Sequence, residues 1–292
     1  MTDSAPLPID DALPALRPAL ASHASAVLIA PPGAGKTTRA PLALLDEPWA
    51  RGKRLILLEP RRLAARAAAA RMAATLGEKV GETIGLRVRL QSLVSKRTRI
   101  EVVTEGVFTR MILDDPGLDG VAAVLFDEFH ERSLDADLGL AFALDAQQGL
   151  REDLRLLVMS ATLDGGRVRA LLGQPPEDQA PLIESQGRAF PVATRYVGRR
   201  PNVRIEDELA HVTLDALSSE SGSILVFLPG QGEIRRVAET LQARVKRPDV
   251  DIAPLYGALD SRAQDLAIAA APKGRRKIVL ATSIAETSLT IE

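Results

Sequence analysis

Two adjacent carboxylates interrupt an apolar run within the segment VLFDEFHERSL, residues 124–134. Asp127 and Glu128 follow a stretch of hydrophobic residues, and this pattern predicts that the pair lies where a buried strand ends. Adjacent carboxylates beside a hydrophobic core cost free energy unless a cation compensates their charge. Magnesium takes one or two carboxylates together with phosphate oxygens, so a bound Mg²⁺ would explain the pair. A solvated turn, or the first turn of a helix where acids are also favourable, is the alternative.

A glycine-rich segment earlier in the chain could bind the phosphate. The segment VLIAPPGAGKTT, residues 27–38, has the spacing of a phosphate-binding loop, with Ala30 in the first position where glycine is the stricter form. In such a loop Gly33 and Gly35 let backbone N–H groups approach phosphate oxygens. A chance turn before a helix is the alternative, but the position between an apolar run and a helix-like stretch favours the loop. The nucleotide-binding residues predicted here are Gly33, Ala34, Gly35, Lys36, Thr37 and Thr38.

The two segments together predict one magnesium–nucleotide site. Lys36 is expected to reach the β- and γ-phosphates, and the Thr37 hydroxyl and the Asp127 carboxylate are expected to hold Mg²⁺. Neighbouring residues on an extended segment point to opposite sides. Glu128 is therefore expected to be free to orient and deprotonate an attacking water molecule. The sequence SAT at residues 160–162 follows another apolar run, but three small residues alone are weak evidence.

Composition limits the class of protein. The chain has 292 residues, enough for two domains of about 150 residues each. Its formal net charge is −1, from 37 basic and 38 acidic residues, so nucleic-acid binding would depend on local clusters rather than a global field. The absence of cysteine excludes disulfides and thiolate metal sites. The N-terminus does not resemble a signal peptide and no apolar run approaches the roughly 18 residues of a membrane span, so we expect a cytoplasmic protein without a membrane segment.

Short apolar runs recur along the chain and predict strands that are buried on both faces of a parallel sheet. Helix-like stretches lie between several of these runs, and the alternation predicts an α/β architecture. The apolar runs are residues 27–30, 55–58, 100–103, 121–126, 154–159, 224–228 and 278–281, and the clearest helix-like stretches are 62–76, 206–217 and one that starts near 231.

A stretch rich in proline, glycine and charge between residues 173 and 202 predicts a domain boundary. We place the domains at residues 1–195 and 196–292. The second domain has only two or three predicted strands, so we expect it to be truncated at its C-terminus.

Eight segments in order resemble the motifs of a superfamily 2 helicase of the DEAH box group. Phe129 stands where the group usually has alanine, and it marks a bacterial branch. The resemblance implies two RecA-like domains with mainly parallel sheets, the second truncated, with ATP in the cleft between them and single-stranded RNA across their top. The segments are APPGAGKTT (30–38), EPRRLAAR (59–66), VVTEGVFTRMI (102–112), DEFHERSL (127–134), SAT (160–162), LVFLPGQGEI (225–234), LYGALD (255–260) and ATSIAETSLTIE (281–292).

The resemblance also implies roles around the nucleotide. Arg71 matches an arginine that stacks on the adenine, and the aromatic residue that usually faces it falls at Ile268, which implies weak discrimination between bases. The implied catalytic residues are Lys36, Asp127, Glu128 and His130. Residues implied to couple hydrolysis to domain movement, or to contact the nucleotide, are His130, Ser160, Thr162 and Thr287.

Contacts to the RNA backbone are implied in both domains. Such contacts position a strand without reading its sequence, and their affinity falls steeply with salt. The basic run KGRRK at residues 273–277 lies in a turn before a predicted strand, and we interpret it as a solvated loop. The implied RNA-binding residues are Arg61, Arg62, Thr104, Glu105, Gly106, Thr282 and Glu292.

The sequence therefore predicts an ATP-dependent RNA helicase core, with ATP and Mg²⁺ as cofactors, that moves on single-stranded RNA or on single-stranded DNA. The arginine fingers of the group would lie beyond residue 292, and such a finger contributes on the order of 10³–10⁵ in rate. We therefore expect the chain to bind nucleotide but to hydrolyse it poorly. A phosphate-loop ATPase of another class and a non-catalytic nucleic-acid-binding module are the alternatives, but NKxD and LSGGQ motifs are lacking and the chemical residues are intact.

Overall fold

The structure is a computed structural model that describes residues 6–162, 165–173, 179–187 and 191–286. It divides into two compact units, residues 1–189 and 190–292. This division falls a few residues before the boundary that the sequence predicts after residue 195, and the exact domain limits stay a prediction. Among the described residues, no helix combines the length and the apolar character that a membrane span requires.

Eight strands form the sheet of the first unit. In chain order they are β1 (Ser25–Ile29), β2 (Arg54–Glu59), β3 (Ile84–Val88), β4 (Gln91–Leu93), β5 (Ile100–Thr104), β6 (Val121–Phe126), β7 (Arg155–Ser160) and β8 (Leu182–Glu184). Their order across the sheet is β4-β3-β5-β2-β6-β7-β1-β8. Every neighbouring pair is parallel except β3 and β4, so the predicted α/β fold with a mainly parallel sheet is confirmed.

The strands that the sequence predicted are the central ones. All residues of β1 and β6 are buried, which explains their continuous apolar runs. The strands that it missed lie toward the edges. β4 and β8 have only three residues each, and β3 is interrupted by the half-buried Arg87. Short or partly exposed edge strands give no continuous apolar signal.

In the described part of the first unit there are six α-helices: α1 (Leu13–Ser22), α2 (Lys36–Leu44), α3 (Arg62–Thr75), α4 (Glu105–Asp114), α5 (Leu134–Gly149) and α6 (Gly165–Leu172). Two apolar clusters show how they pack. Buried residues of α1, α2 and α3 share one cluster with Leu55 and Leu57 of β2, whereas those of α4 and α5 share the other with Ile56 and Leu58. Because successive strand residues point to opposite faces, helices cover both faces of the sheet.

The carboxyl ends of five neighbouring parallel strands meet at one edge of this sheet, in the order β5-β2-β6-β7-β1. The phosphate-binding segment follows β1, Arg61 follows β2 and Asp127 follows β6. Thr104 and Ser160 are the last residues of β5 and β7. The topology therefore brings most of the predicted functional segments of this unit to one edge.

The second unit is a smaller α/β arrangement. Its elements are α7 (Ile205–Ser219), β9 (Ile224–Phe227), α8 (Gln231–Arg244), β10 (Val250–Leu255), α9 (Ser261–Ile268) and β11 (Arg276–Ala281). The strands are parallel in the order β10-β11-β9, and α7 and α8 share an apolar cluster with them. The sequence did not predict β10 as a strand, because most of its residues are only half-buried and include polar ones.

The basic run at residues 273–277 supports the second unit. Arg276 donates to the carbonyl of Leu217 at 2.8 Å, near the end of α7. Lys277 is 6% exposed, and its Nζ donates to carbonyl groups at the end of α9. Arg275 pairs with Asp251. The interpretation of this run as a solvated loop is therefore wrong for Arg276 and Lys277, which belong to β11, whereas Arg275 is exposed.

Candidate nucleotide site

The phosphate-binding segment forms a turn whose backbone requires glycine at two positions. Gly33 and Gly35 have φ angles of 77° and 94°, in the left-handed region that is unfavourable for residues with a Cβ. At Gly35 a Cβ would also lie 2.6 Å from Leu7 Cδ1. A Cβ at Gly33 would meet no atom within 4 Å. The loop is thus packed on one side at Gly35 and faces open space at Gly33.

The segment before α1 supports this loop, and the sequence analysis missed it. Ile9 is fully buried, and its backbone N–H donates to the carbonyl of Ala34 at 3.1 Å. The hydroxyl of Ser185, just after β8, donates to the carbonyl of Pro8 at 2.9 Å. A few apolar residues between prolines give no periodic signal, so the sequence did not reveal the contact.

Lys36 begins α2 with its side chain buried among acids. It is 3% exposed, and its Nζ lies 2.6 Å from Oε1 of Glu128 and 3.9 Å from Oδ1 of Asp127. Burial alone would lower the pKa of Lys36, but the charges of Asp127 and Glu128 outweigh it and the pKa is raised. The ammonium group is therefore charged and is held by two carboxylates.

Asp127 is fixed beside the start of α2. Its backbone N–H donates to the carbonyl of Leu58 at 3.1 Å, which joins it to the end of β2. Its Oδ2 accepts a short hydrogen bond from the Thr37 hydroxyl, and its Oδ1 accepts from the backbone N–H of Glu128 at 2.8 Å. The contact between Thr37 and Asp127 is the pair that the sequence predicted.

The donor set of this site fits Mg²⁺ and a nucleotide. A hydroxyl and a carboxylate in contact are the hard oxygen ligands that Mg²⁺ prefers, and phosphate oxygens and water complete its shell in such sites. Among the described residues there is no group of three or more His, Cys, Asp or Glu that could hold a metal ion. A magnesium site that relies on a single protein carboxylate agrees with that finding.

Glu128 does not continue the strand that precedes it. Its φ angle is 49°, in the left-handed region, and a short 3₁₀ turn from Phe129 to Glu131 follows. The alternation of side chains on an extended segment therefore does not apply here, and that argument for separating the two acids is wrong. Both carboxylates lie against Lys36.

The environment of Glu128 raises its affinity for a proton. Burial raises the pKa of Glu128 to about 7, the charge of Asp127 adds to this effect, and Lys36 opposes it. A carboxylate whose pKa lies near neutrality is partly deprotonated at neutral pH, and it is a stronger base than an ordinary carboxylate. The geometry thus suits Glu128 for the water-activating role that the sequence predicts.

His130 connects Glu128 with the SAT segment. Its Nδ1 lies 3.3 Å from Oε2 of Glu128 and 3.4 Å from the backbone nitrogen of Ala161. Burial lowers the pKa of His130, which favours the neutral ring. A neutral Nδ1 either donates to Glu128 or accepts from Ala161, so the two hydrogen bonds exclude each other. The carbonyl of Ser160 accepts from the backbone N–H of Ala30 at 3.0 Å, which also ties this segment to the phosphate loop.

Phe129 packs into the core of the first unit. It is 5% exposed, and its ring meets the ring of Phe126 edge to face at a centroid distance of 6.3 Å. The guanidinium of Arg132 lies 5.8 Å from the Phe129 centroid. Phe129 therefore belongs to the apolar core of the first unit.

Glu59, the last residue of β2, is a buried acid that the sequence analysis did not single out. It is 1% exposed, and burial together with the charges of Asp127 and Glu128 raises the pKa of Glu59 well above its ordinary value. The signal was present, because Glu59 ends an apolar run in the same way that Asp127 follows one.

The residues predicted to bind RNA in the first unit lie at the same sheet edge but differ in exposure. Arg61 pairs with Glu131 at 3.2 Å, and Arg62 is exposed at the start of α3. Thr104 is half-buried and Gly106 is exposed. Glu105 is buried, and its Oε2 accepts from the hydroxyl of Ser133 at 2.5 Å, which joins the starts of α4 and α5.

The remaining predicted residues lie in both units. Arg71 is exposed in the second half of α3, and Thr38 lies in the first turn of α2. Thr162 is exposed, and its backbone N–H donates to Ser160 Oγ at 3.3 Å. In the second unit, Thr282 is half-buried. Thr287 and Glu292 lie outside the described residues.

Comparison with known proteins identifies the family. The family model described as DEAD/DEAH box helicase matches residues 12–171, more than half of the chain. The chain belongs to the DEAD/DEAH box helicase family. A second model, described as helicase conserved C-terminal domain, matches residues 206–292. The RecA-like architecture that the resemblance implied is thereby confirmed.

Individual helicases are similar to this chain over most of its length. It is 56% identical over 286 residues to the ATP-dependent RNA helicase HrpB of Escherichia coli strain K12, which covers 98% of this chain and 34% of that protein. It is 34% identical over 290 residues to the ATP-dependent RNA helicase HrpA homolog of Haemophilus influenzae, covering 98% of this chain and 21% of that protein. The crystal structure of the E. coli DEAH/RHA helicase HrpB matches with a TM-score of 0.90 at 55% identity, over 98% of this chain and 36% of that one. The resemblance to the DEAH box group is confirmed, and the chain spans about a third of the length of HrpB.

The raised pKa of Glu128 predicts how one variant of this DEAD/DEAH box helicase responds to pH. The ordinary pKa of the group is 4.5 and the folded value is about 7, so the folded protein loses stability as pH rises through this window. Glutamine does not ionise. The measured quantity is the free energy of unfolding of the nucleotide-free protein. We expect the difference between Glu128→Gln and wild type to shift in favour of the variant by about 1–3 kcal/mol from pH 5 to pH 8.

Thermal or urea unfolding of wild type and Glu128→Gln in the presence of EDTA measures this effect. Glu152→Gln, which changes an exposed acid before β7, is the matched control. An equal stability difference between wild type and Glu128→Gln at both pH values would contradict the raised pKa.

Proposed function

We propose that this chain is the nucleotide-binding core of an ATP-dependent RNA helicase, in which hydrolysis of Mg²⁺-bound ATP drives movement on single-stranded RNA. One observation carries the proposal: the buried Lys36 ammonium, the Asp127–Thr37 contact and the Glu128 carboxylate converge where β1 and β6 end. The names of its relatives, which are ATP-dependent RNA helicases, support the choice of ATP and RNA.

Each residue of the cluster has a distinct task in this proposal. Lys36 exchanges its carboxylate partners for the β- and γ-phosphates of the nucleotide. Thr37 and Asp127 hold Mg²⁺, which when bound neutralises charge on the phosphates. Glu128 then no longer pairs with the Lys36 ammonium. It orients the attacking water molecule and accepts a proton from that water.

His130 supplies a route from this chemistry to the SAT segment. When Glu128 takes up a proton, it no longer attracts the Nδ1–H form of the His130 ring. The ring then changes tautomer, releasing the Nδ1 proton to solvent and taking one up at Nε2, and its Nδ1 accepts from Ala161 instead, a contact already within 3.4 Å. Proton uptake at Glu128 thereby alters the hydrogen bond between His130 and the backbone of Ala161.

The carboxyl edge of the sheet is the proposed path of the nucleic acid. Arg62 is exposed there, and Gly106 offers a backbone that a phosphate can approach. Because the Glu105 carboxylate is buried against Ser133, we assign its contact to the backbone rather than to the side chain. Contacts of this kind also accept single-stranded DNA, since they do not require a 2′-hydroxyl. The cytoplasmic location stays a prediction.

The proposal predicts that single-stranded RNA stimulates ATP hydrolysis and that Arg62→Ala weakens this stimulation. Removal of one phosphate contact lowers the slope of log affinity against log salt by about 0.7 for a single strand. The measurement is the RNA concentration for half-maximal stimulation, at several salt concentrations, in a length of the protein with measurable wild-type turnover.

A control arginine lies at the opposite edge of the sheet. Arg97, between β4 and β5, has a side chain that is 67% exposed and pairs with Glu82 at 3.1 Å. Arg97→Ala should leave the RNA dependence unchanged. Hydrolysis that responds to neither RNA nor DNA, or equal effects of the two substitutions, would contradict the proposed function.

A further inference from the structure

An apolar groove, the α4–α5 groove, lies on the surface of the first unit. Its lining includes Leu113 and Pro116 at the end of α4, and Phe142, Asp145 and Leu150 along α5 and just after it. Leu113 is 61% exposed and Leu150 is 62% exposed. A single exposed leucine is common on protein surfaces, but here two of them flank the half-buried ring of Phe142. Exposed apolar surface that is contiguous in this way marks a binding site.

The groove is remote from the nucleotide site. The helices α4 and α5 begin where β5 and β6 end, at the carboxyl edge of the sheet, and they lead back to the strands β6 and β7 that start at the opposite edge. The groove lies near the C-terminal ends of both helices. A ligand bound there therefore neither requires nor blocks the proposed nucleotide, and its binding does not depend on the proposed function.

The rim of the groove is acidic. Asp114 and Asp115 lie between Leu113 and Pro116 in the sequence, and both are exposed. Asp145 is exposed within the groove itself. Neither Asp114 nor Asp145 forms an ion pair in the part of the chain that the structure describes. Carboxylates without a cation beside apolar surface attract a ligand of positive charge.

Nearby arginines do not neutralise this rim. Arg151 follows Leu150, but its guanidinium is held by Asp153 at 2.7 Å and by the carbonyl of Gly117 at 2.8 Å. Arg110 is exposed on α4, one turn before Asp114. Three exposed carboxylates thus face one exposed guanidinium, and the local charge is negative although the whole chain is nearly neutral.

This charge distinguishes between possible occupants. Nucleic-acid phosphates and anionic lipid headgroups would be repelled by the rim. A second copy of the chain is also disfavoured, because a two-fold contact through the groove would place its acids against the same acids of the partner. A protein segment that combines apolar side chains with lysine or arginine matches both the floor and the rim.

The length of the apolar strip suits a helix. Leu138 lies one turn before Phe142 on α5 and is 39% exposed, so it extends the strip toward the start of the helix. From residue 138 to residue 150 the strip runs for about 18 Å, which corresponds to about three helical turns. A helix that binds in a groove presents apolar residues three or four positions apart along one face.

We propose that the α4–α5 groove docks an amphipathic helical segment of another protein. The apolar face of this segment packs against Leu113, Phe142 and Leu150, and its lysine or arginine residues lie beside Asp114 and Asp145.

Two synthetic helical peptides of about 14 residues serve as probes. The first carries leucine along one face and lysine on the other, and the second has glutamate in place of every lysine. Binding is measured by fluorescence anisotropy with the 292-residue chain and with a longer form of the protein. We expect the lysine peptide to bind both forms equally well, and the glutamate peptide to bind at least about 10-fold more weakly.

Two double variants locate the binding site. Leu113→Gln with Leu150→Gln removes apolar anchors and should weaken binding of the lysine peptide by about 10–100-fold. Asp114→Asn with Asp145→Asn should weaken it by about 3–10-fold and reduce its dependence on salt. The matched control is Leu171→Gln, because Leu171 on α6 is 57% exposed and lies outside the groove. This control should bind the peptide as wild type does.

Thermal unfolding and ATP affinity show that the variants are intact. Both double variants change exposed side chains, so we expect them to fold and to bind ATP as wild type does. A loss of ATP binding in wild type would contradict the proposed function and would leave the result for the groove unaffected.

Several outcomes would overturn the inference. Equal binding of the two peptides, no binding of the lysine peptide, or unchanged binding by both double variants would each do so. Binding to the 292-residue chain but not to the longer form would show that the groove is covered by another part of the same protein. Self-association of wild type that Leu113→Gln abolishes would assign the groove to a second copy.

Discussion

Replacement of Glu128 by glutamine is expected to lower the rate of ATP hydrolysis by about 10²–10⁴-fold, the usual contribution of a general base, while ATP binding is retained. Glutamine has nearly the same shape, and its carbonyl oxygen can still accept from Lys36, which donates to Glu128 at 2.6 Å. It cannot take a proton from water. The substitution therefore removes the chemistry and keeps the contacts.

Turnover and ATP affinity are compared in a length of the protein for which wild-type hydrolysis is measurable. Glu152→Gln serves again as the control, because this exposed acid precedes β7 at the opposite edge of the sheet. Wild-type turnover in Glu128→Gln would exclude Glu128 as the base. Loss of both binding and turnover would instead assign it a role in holding the nucleotide.

Replacement of Lys36 by alanine is expected to weaken ATP binding by at least about 100-fold. A hydrogen bond to a charged group contributes about 1.5–3 kcal/mol, and Lys36 is assigned contacts to two phosphates. The substitution also leaves Asp127 and Glu128 without their cation in a buried site. Their mutual repulsion then opposes an anionic ligand further.

The matched control for Lys36→Ala is Lys53→Ala. Lys53 precedes β2, so it lies at the amino edge of the sheet, where its Nζ pairs with Asp153 at 2.6 Å. We expect Lys53→Ala to bind ATP as wild type does. Thermal unfolding of both variants shows whether a loss of affinity reflects the site or the fold.

The parts of the fold that the sequence predicted are those in which local pattern and tertiary environment agree. β1 and β6 are buried throughout, so their apolar runs are uninterrupted. The phosphate loop was recognisable because its glycines are required by the backbone itself, as the left-handed φ angles of Gly33 and Gly35 show. The proximity of Thr37 and Asp127 was predictable because a Mg²⁺–phosphate site takes a hydroxyl and a carboxylate as ligands.

The features that the sequence did not predict depend on contacts between distant segments. Glu128 leaves the extended conformation, and no residue type signals a left-handed glutamate. The support of the phosphate loop by Leu7 and Ile9 joins segments without periodic pattern. A basic run before a strand is typical of a solvated loop, and this pattern gave the wrong prediction for Lys277. The Lys277 ammonium is buried at the end of α9.

Calorimetric titration of ATP into the 292-residue chain, with Mg²⁺ and in EDTA, shows whether the Lys36 site binds Mg²⁺–ATP when wild type and Lys36→Ala are compared. We expect one site in the wild type, tighter binding with Mg²⁺ than in EDTA, and an affinity at least about 100-fold weaker in folded Lys36→Ala. Equal affinities of wild type and Lys36→Ala, or the absence of ATP binding by the folded wild type, would contradict this expectation.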